Sequence, residues 1–159
     1  MKTSNPLTAI CIVKENIWRA AESYAIAAIK NNVLGRNLFK QLSEFEKYHY
    51  DRFSALVNSL QKKYHFINFE GTEFVLPSFL ERNIVKEPAH KSLMQIISDA
   101  MEVERQTKKV LAEIGTQITG SQGQRLFIEL SEEEHKYYNG LSEAFSSLNQ
   151  SGVWEWSHP

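Results

Sequence analysis

The sequence has little of what disulfide-rich, iron–sulfur, nucleic-acid-binding or membrane proteins require. A single cysteine among 159 residues excludes an internal disulfide framework, a self-contained iron–sulfur cluster and a four-cysteine rubredoxin-type iron site. The net charge of −1 offers no basic excess for nucleic acid, and no apolar run is long enough to cross a bilayer. We therefore expect a cytoplasmic protein with neither a nucleic-acid nor a membrane partner.

Proline and glycine are also few, and several of them mark the connections between four long helical patterns. We predict helices over about residues 6–31, from after a connection at 31–35 to about 63, from about 88 to about 115, and from after a turn at 115–123 to about 148. The stretch 64–87 has no sustained helical period. Two helical hairpins joined by this long crossover would form an all-α four-helix bundle.

The length predicts one domain, which we place at residues 1–150. The remaining residues, 151–159, form a tail, and its end matches the start of a streptavidin-binding affinity tag. This tag remnant, including His158, is excluded from the functional interpretation.

Two stretches that lie 88 positions apart, residues 38–50 and 126–138, share Leu, Phe, Leu, Ser, Glu, Glu and Tyr in register. In the first copy, Glu46 and His49 interrupt an apolar helix face that is otherwise built from Phe39, Leu42, Phe53, Leu56 and Leu60. A charged side chain on a buried face is unfavourable by several kcal/mol unless it is paired or bound to a metal. The pattern therefore predicts a cation inside the bundle.

Each predicted helix carries one acid near the middle of an apolar stripe: Glu22, Glu46, Glu104 and Glu134. On the first helix, we place this stripe at Cys11, Trp18, Glu22, Ala25 and Ile29. Four carboxylates in a dry core would repel one another, whereas two cations between them would turn them into ligands. Oxygen-rich sites with an imidazole suit iron or manganese, and carboxylates with Glu-x-x-His on facing helices are typical of dimetal bundles.

On these residues the chain resembles the ferritin-like superfamily, and within it the rubrerythrin branch, over about residues 7–148. The resemblance implies an antiparallel four-helix bundle that holds two iron ions or a mixed iron and manganese pair. It carries the metal ligands to Glu22, Glu46, His49, Glu104 and Glu134.

The fourth helix allows two registers. The motif Glu132-x-x-His135 would supply a second Glu-x-x-His, but it would place polar residues opposite the apolar residues of the first copy. The repeat instead makes Glu134 the ligand and puts Tyr137 where the second histidine belongs. We favour the register of the repeat because it keeps the apolar face intact. Tyr137 is then either a metal ligand or a core tyrosine with a hydrogen-bonded hydroxyl.

The chain also departs from rubrerythrins, which have a further carboxylate where Thr107 stands and a rubredoxin-like iron domain that one cysteine cannot build. The resemblance still implies an oxidoreductase of peroxidase or ferroxidase type, a homodimer or larger homo-oligomer, and an external electron-donor protein. Two alternatives stay open. One is a diiron oxygenase that acts on an organic substrate through a channel lined by the alanines of the first helix, and the other is a non-catalytic ferritin-like metal-binding module.

Overall fold

The computed structural model describes residues 6–30, 33–64, 92–118 and 121–152, and these are helical almost throughout. The helices are α1 (Pro6–Lys30), α2 (Val33–Tyr64), α3 (Leu93–Gln117) and α4 (Ser121–Ser151). The prediction of an all-helical four-helix bundle is confirmed for this part of the chain. The predicted crossover and the tag remnant lie outside the described residues. None of these four helices combines the length and the apolar character that a bilayer span requires.

Local chemistry explains where the helices begin and end. Ser92 has an extended backbone and accepts a hydrogen bond from the backbone N–H of Gln95, so α3 begins later than the start predicted near residue 88. At the end of α4, Gly152 has a φ of 71° and donates its N–H to the carbonyl of Leu148, as glycine commonly does after a helix. The predicted turn glycine Gly115 instead lies within α3, where an added Cβ would approach Phe127 to 3.4 Å.

Contacts between side chains fix the helix directions. On α1 and α2, Trp18 meets Tyr50 while Tyr24 meets Phe39, so these two helices are antiparallel. Helices α3 and α4 also pack together. They are antiparallel, because only residues 118–120 lie between them and Phe127 is near Gly115 while Ser131 bonds to Lys108. Helix α2 is also antiparallel to α4, because contacts on α2 from residue 45 to residue 63 meet α4 from residue 137 back to residue 129. Helices α2 and α3 therefore run in the same direction, which is the arrangement that a long crossover would require.

Two apolar cores fill the bundle. The first combines the N-terminal parts of α1 and α4 with the C-terminal parts of α2 and α3, and includes Ile10, Val13, Ile17, Phe53, Val57, Leu60, Leu111, Ile114, Leu126, Phe127 and Leu130. The second lies at the other end and includes Ala28, Leu38, Phe39, Leu42, Phe45, Ile96, Ile97, Tyr137 and Leu141. Buried Glu46 and His49 of α2, Glu104 of α3 and Glu134 of α4 lie between these two cores. The core is therefore divided by one polar layer.

The sequence repeat has a structural counterpart. Ser43 on α2 donates a hydrogen bond to the carbonyl of Ala21 on α1, and Ser131 on α4 donates one to the carbonyl of Lys108 on α3; both are 2.9 Å long. Both serines are buried. The two hairpins therefore use the same residue of the repeat to join their helices.

Replacing either of these serines by alanine is expected to lower the free energy of unfolding by about 1 kcal/mol, the net value of a typical internal hydrogen bond. The control is Ser54→Ala, because the buried hydroxyl of Ser54 has no partner among the described residues. That change removes no hydrogen bond and should therefore not lower the free energy of unfolding. Urea denaturation of the three variants measures both effects, and equal losses in all three would contradict a specific role of the interhelical bonds.

Candidate metal centre

Helix α2 contributes two polar side chains to the layer between the cores. Glu46 is 3% exposed and His49 is fully buried. Both lie on the helix face that also buries Phe39, Leu42, Phe53 and Leu60. The sequence period predicts this face, and its burial is confirmed except at Leu56, which is only partly buried. The acid and the imidazole are therefore held in the interior by the apolar residues before and after them.

Two more carboxylates reach His49 from the other hairpin. Its Nδ1 lies 3.4 Å from Glu46 Oε2 and 3.4 Å from Glu104 Oε1 on α3. Its Nε2 lies 2.8 Å from Glu134 Oε1 on α4. Three helices thus surround a single imidazole with carboxylates, and all four side chains are buried.

The electrostatics of this group follow from burial and from the short distances. Burial raises the pKa of Glu46 from 4.5 to about 7, and burial also raises the pKa of Glu104, with the charge of Glu134 adding to the effect. Burial alone would lower the pKa of His49, but the negative charges of Glu134 and Glu104 outweigh it and raise that pKa well above 6.5. The metal-free group therefore retains protons at neutral pH.

Two carboxylate oxygens of the group, Glu104 Oε2 and Glu134 Oε2, are buried and have no hydrogen-bond partner among the described residues. Leaving such an atom unpaired costs about 1–3 kcal/mol, and more for a charged group. Glu46, His49 and Glu104 each offer one ligand atom, and these three atoms lie within 4.8 Å of one another. Atoms bound about 2.1 Å from one ion lie at most roughly 4.2 Å apart, so a small contraction suffices. This group could hold a metal ion.

Helix α4 has the arrangement that the repeat predicts. Glu134 and Tyr137 are fully buried, whereas Glu132 and His135 are exposed. His135 contacts Lys108, with 3.2 Å between Nδ1 and Nζ. The alternative motif, Glu132-x-x-His135, therefore lies on the outer side of the helix.

Tyr137 packs directly on the histidine. Its ring lies nearly parallel to that of His49, with 3.8 Å between the centroids and 18° between the planes. The buried hydroxyl has no hydrogen-bond partner among the described residues, and burial raises its pKa. The side chain thus supports the imidazole with its ring and retains its phenolic proton. Coordination by Tyr137 stays a prediction.

The predicted inner face of α1 is wrong by one position. Cys11 and Glu22 are exposed, Trp18 is 41% exposed and Ile29 is 80% exposed. The residue immediately before each of these four is the buried one: Ile10, Ile17, Ala21 and Ala28. The error has a physical reason, because α1 carries apolar residues on several sides and its period alone does not fix which side faces the core.

Glu22 is consequently not brought into the group. Ala21 is fully buried, and its carbonyl accepts the hydrogen bond of Ser43, about one turn before Glu46. Helix α1 thus presents a methyl group to the core at this level. The assignment of Glu22 as a ligand has no support in this arrangement and rests on the resemblance alone.

Sequence reasoning missed Tyr24. Its ring stacks on Phe39, with 6.4 Å between the centroids. Burial raises the pKa of its hydroxyl, and the charges of Glu46 and Glu104 raise it further, so the phenol lies near two carboxylates of the group. The correct phase of α1, through Ile17, Ala21, Tyr24 and Ala28, would have revealed it.

Two further expectations concern α3 and the proposed substrate channel. Thr107 is buried and donates its hydroxyl to the carbonyl of Val103 at 2.8 Å, so its hydrogen-bonding need is met within its own helix.

An open cleft of about 660 Å³ lies between α1 and α2. Two of the predicted channel residues, Ala25 and Ala28, line it together with charged side chains, but Glu46, His49 and Glu104 are not among its lining residues.

No protein-family model matches the chain, and no curated protein or solved structure matches it either. The interpretation of the buried group therefore depends on its residues and their geometry.

Proposed function

We propose that this protein is a ferritin-like, non-haem metal protein that binds iron or manganese through Glu46, His49 and Glu104 and reacts with hydrogen peroxide or dioxygen. The observation that carries the proposal is the convergence of these three buried side chains, with Glu104 Oε2 and the neighbouring Glu134 Oε2 left without a hydrogen-bond partner among the described residues. Two carboxylates and one imidazole form a donor set suited to iron or manganese. The parallel directions of α2 and α3 and the repeated helix-joining serines support a ferritin-like arrangement.

A bound iron or manganese ion would supply the electron transfer that reduces peroxide or dioxygen. The chain supplies the surroundings. The apolar cores on both sides of the group exclude water, and the carboxylates of Glu46 and Glu104 balance positive charge. Tyr137 keeps its phenolic proton because burial raises the pKa of its hydroxyl. That unpaired hydroxyl can donate a hydrogen bond to a small molecule beside His49.

The proposal includes partners. Reduction of peroxide consumes electrons, and we propose an external electron-donor protein as their source. We also propose a homodimer or larger homo-oligomer, since the exposed apolar side chains of Ile26 and Ile29 on α1 offer surface that another copy could cover.

The test is to purify the protein after growth with iron, measure its metal content, reduce it without oxygen and add hydrogen peroxide or dioxygen. We expect bound iron or manganese and rapid consumption of one oxidant. Glu104→Gln should lose metal and turnover together, whereas the control Glu102→Gln should keep both, since Glu102 is exposed and pairs with Arg105. Equal turnover by wild type and Glu104→Gln would refute the proposal.

One observation favours a second candidate, a non-catalytic bundle. The raised pKa of His49 means that an imidazolium can offset the surrounding carboxylates without a metal. Clearly substoichiometric metal after growth with iron, combined with full helicity, would support this candidate. Product formation from an organic substrate would instead indicate an oxygenase.

A further inference from the structure

The two nitrogens of His49 face different carboxylates. Nδ1 faces Glu46 and Glu104, each at 3.4 Å, and Nε2 faces Glu134 at 2.8 Å. In one imidazole, the nitrogen that binds a metal gives up its proton, and the other nitrogen commonly donates its N–H to a carboxylate. The geometry therefore separates a metal side of the ring from a hydrogen-bonding side.

The number of carboxylates decides which side takes the metal. On the Nδ1 side, two carboxylates from two helices join the nitrogen, which gives three ligands. On the Nε2 side, Glu134 is the one carboxylate of the described residues that approaches, at the length of a charge-assisted hydrogen bond. An ion at Nε2 would have two ligands and would leave Glu46 and Glu104 facing an N–H. The Nδ1 side is the better site.

A second ion would find no further carboxylate or imidazole from α1 among the described residues. Helix α1 presents Ala21 at this level, and Glu22 is exposed. Tyr137 lies flat on the imidazole, so its ring occupies one face of His49. Among the described residues, a second ion would be left with carboxylate oxygens that the first site does not use, such as Glu104 Oε2 and Glu134 Oε2, and with the phenols of Tyr137 and Tyr24.

We infer that the centre binds one metal ion per chain, at Glu46, His49 Nδ1 and Glu104, and that Glu134 is a positioning residue that accepts the Nε2–H of His49. This inference rests on the proposed function. It differs from the two-ion centre that the resemblance implies. Glu134 fixes the tautomer and the orientation of the imidazole, and its charge makes the metal-binding nitrogen more basic.

The first experiment titrates the metal-free wild-type chain with Co²⁺ and follows visible absorption. We expect an end point at one equivalent, with elemental analysis giving one cobalt per chain after dialysis. An end point at two equivalents would overturn the inference and leave the proposed metal protein standing. Failure to bind any divalent ion would overturn both. This wild-type measurement does not depend on whether any variant folds.

The second experiment compares variants whose helicity is checked by circular dichroism. Glu134→Gln should still bind one Co²⁺ with unchanged absorption bands, but with a dissociation constant roughly 10- to 100-fold higher, the usual cost of losing an outer-shell partner. Its control, Glu132→Gln, changes an exposed acid on the same helix and should match wild type. Glu104→Gln, which loses a ligand, should instead lose the wild-type bands together with the metal. If Glu134→Gln lost these bands in the same way, Glu134 would be a ligand and the inference would be wrong.

Discussion

Replacing Glu46 by alanine is expected to weaken metal affinity at least roughly tenfold, because even the loss of an outer-shell partner has an effect of that size and Glu46 is placed to bind directly. The truncation removes one of two negative charges on the Nδ1 side of His49. A divalent ion would then be held by one carboxylate and one imidazole in a buried site. Elemental analysis after dialysis measures the loss.

The same change should leave the helix content of the protein nearly unaltered, because the apolar residues around Glu46 on α2 remain in the two cores. Circular dichroism checks this. The matched control is Glu44→Ala, which removes an exposed acid two residues earlier on the same helix and should keep the wild-type metal content. Unchanged metal in Glu46→Ala would show that our assignment of this residue is wrong.

The metal-free protein is expected to lose stability as the pH rises from about 5 to 8. The pKa of Glu46 is raised by burial from 4.5 to about 7, so between these values the unfolded chain releases a proton that the folded protein keeps. The unfolded state is then favoured increasingly, up to the neighbourhood of pH 7. At about 1.4 kcal/mol per pKa unit, the full effect for this group is about 3 kcal/mol.

Glu104 and His49 act in the same direction. Burial raises the pKa of Glu104, so its contribution also declines above the pKa of an unfolded glutamate. For His49, the charges of Glu134 and Glu104 overcome the effect of burial and raise the pKa well above 6.5. Its stabilising contribution is complete below 6.5 and is lost as the pH rises through the folded-state pKa. All three groups thus bind more protons in the folded state than in the unfolded state, so the free energy of unfolding falls as the pH rises.

Bound metal should change this dependence of stability on pH, because ligands must be deprotonated to coordinate and metal affinity therefore rises with pH. Urea denaturation at pH 5, 6, 7 and 8, with a chelator and then with saturating Mn²⁺, tests the expectation. The chelated protein should become less stable along this series, and the Mn²⁺-loaded protein should be stabilised most at pH 8. A chelated protein that gained stability with pH would contradict the protonation states that we assign to the buried group.

The sequence predicted the inner faces of α2 and α4 well because apolar and polar residues lie on clearly different sides of both helices. An apolar period interrupted by Glu46 and His49 admits one inner face, and the repeat transfers that face to Glu134 and Tyr137, which are buried as expected. Glu104 on α3 was found by the same contrast. The prediction failed on α1, where alanine and isoleucine occupy several sides and Trp18 was assigned to the core although it packs on Tyr50 near the surface.

The sequence by itself determined four helices and, on α2, α3 and α4, the polar residues that interrupt the apolar faces, because both properties depend on local spacing along one helix. The tertiary structure alone decided which of these residues meet. It rotated α1 so that Ala21 and Tyr24, rather than Glu22, turn toward the core, and it gave each nitrogen of His49 a different carboxylate neighbour. Those outcomes depend on how four helices pack against one another, and the period of a single helix does not contain that information.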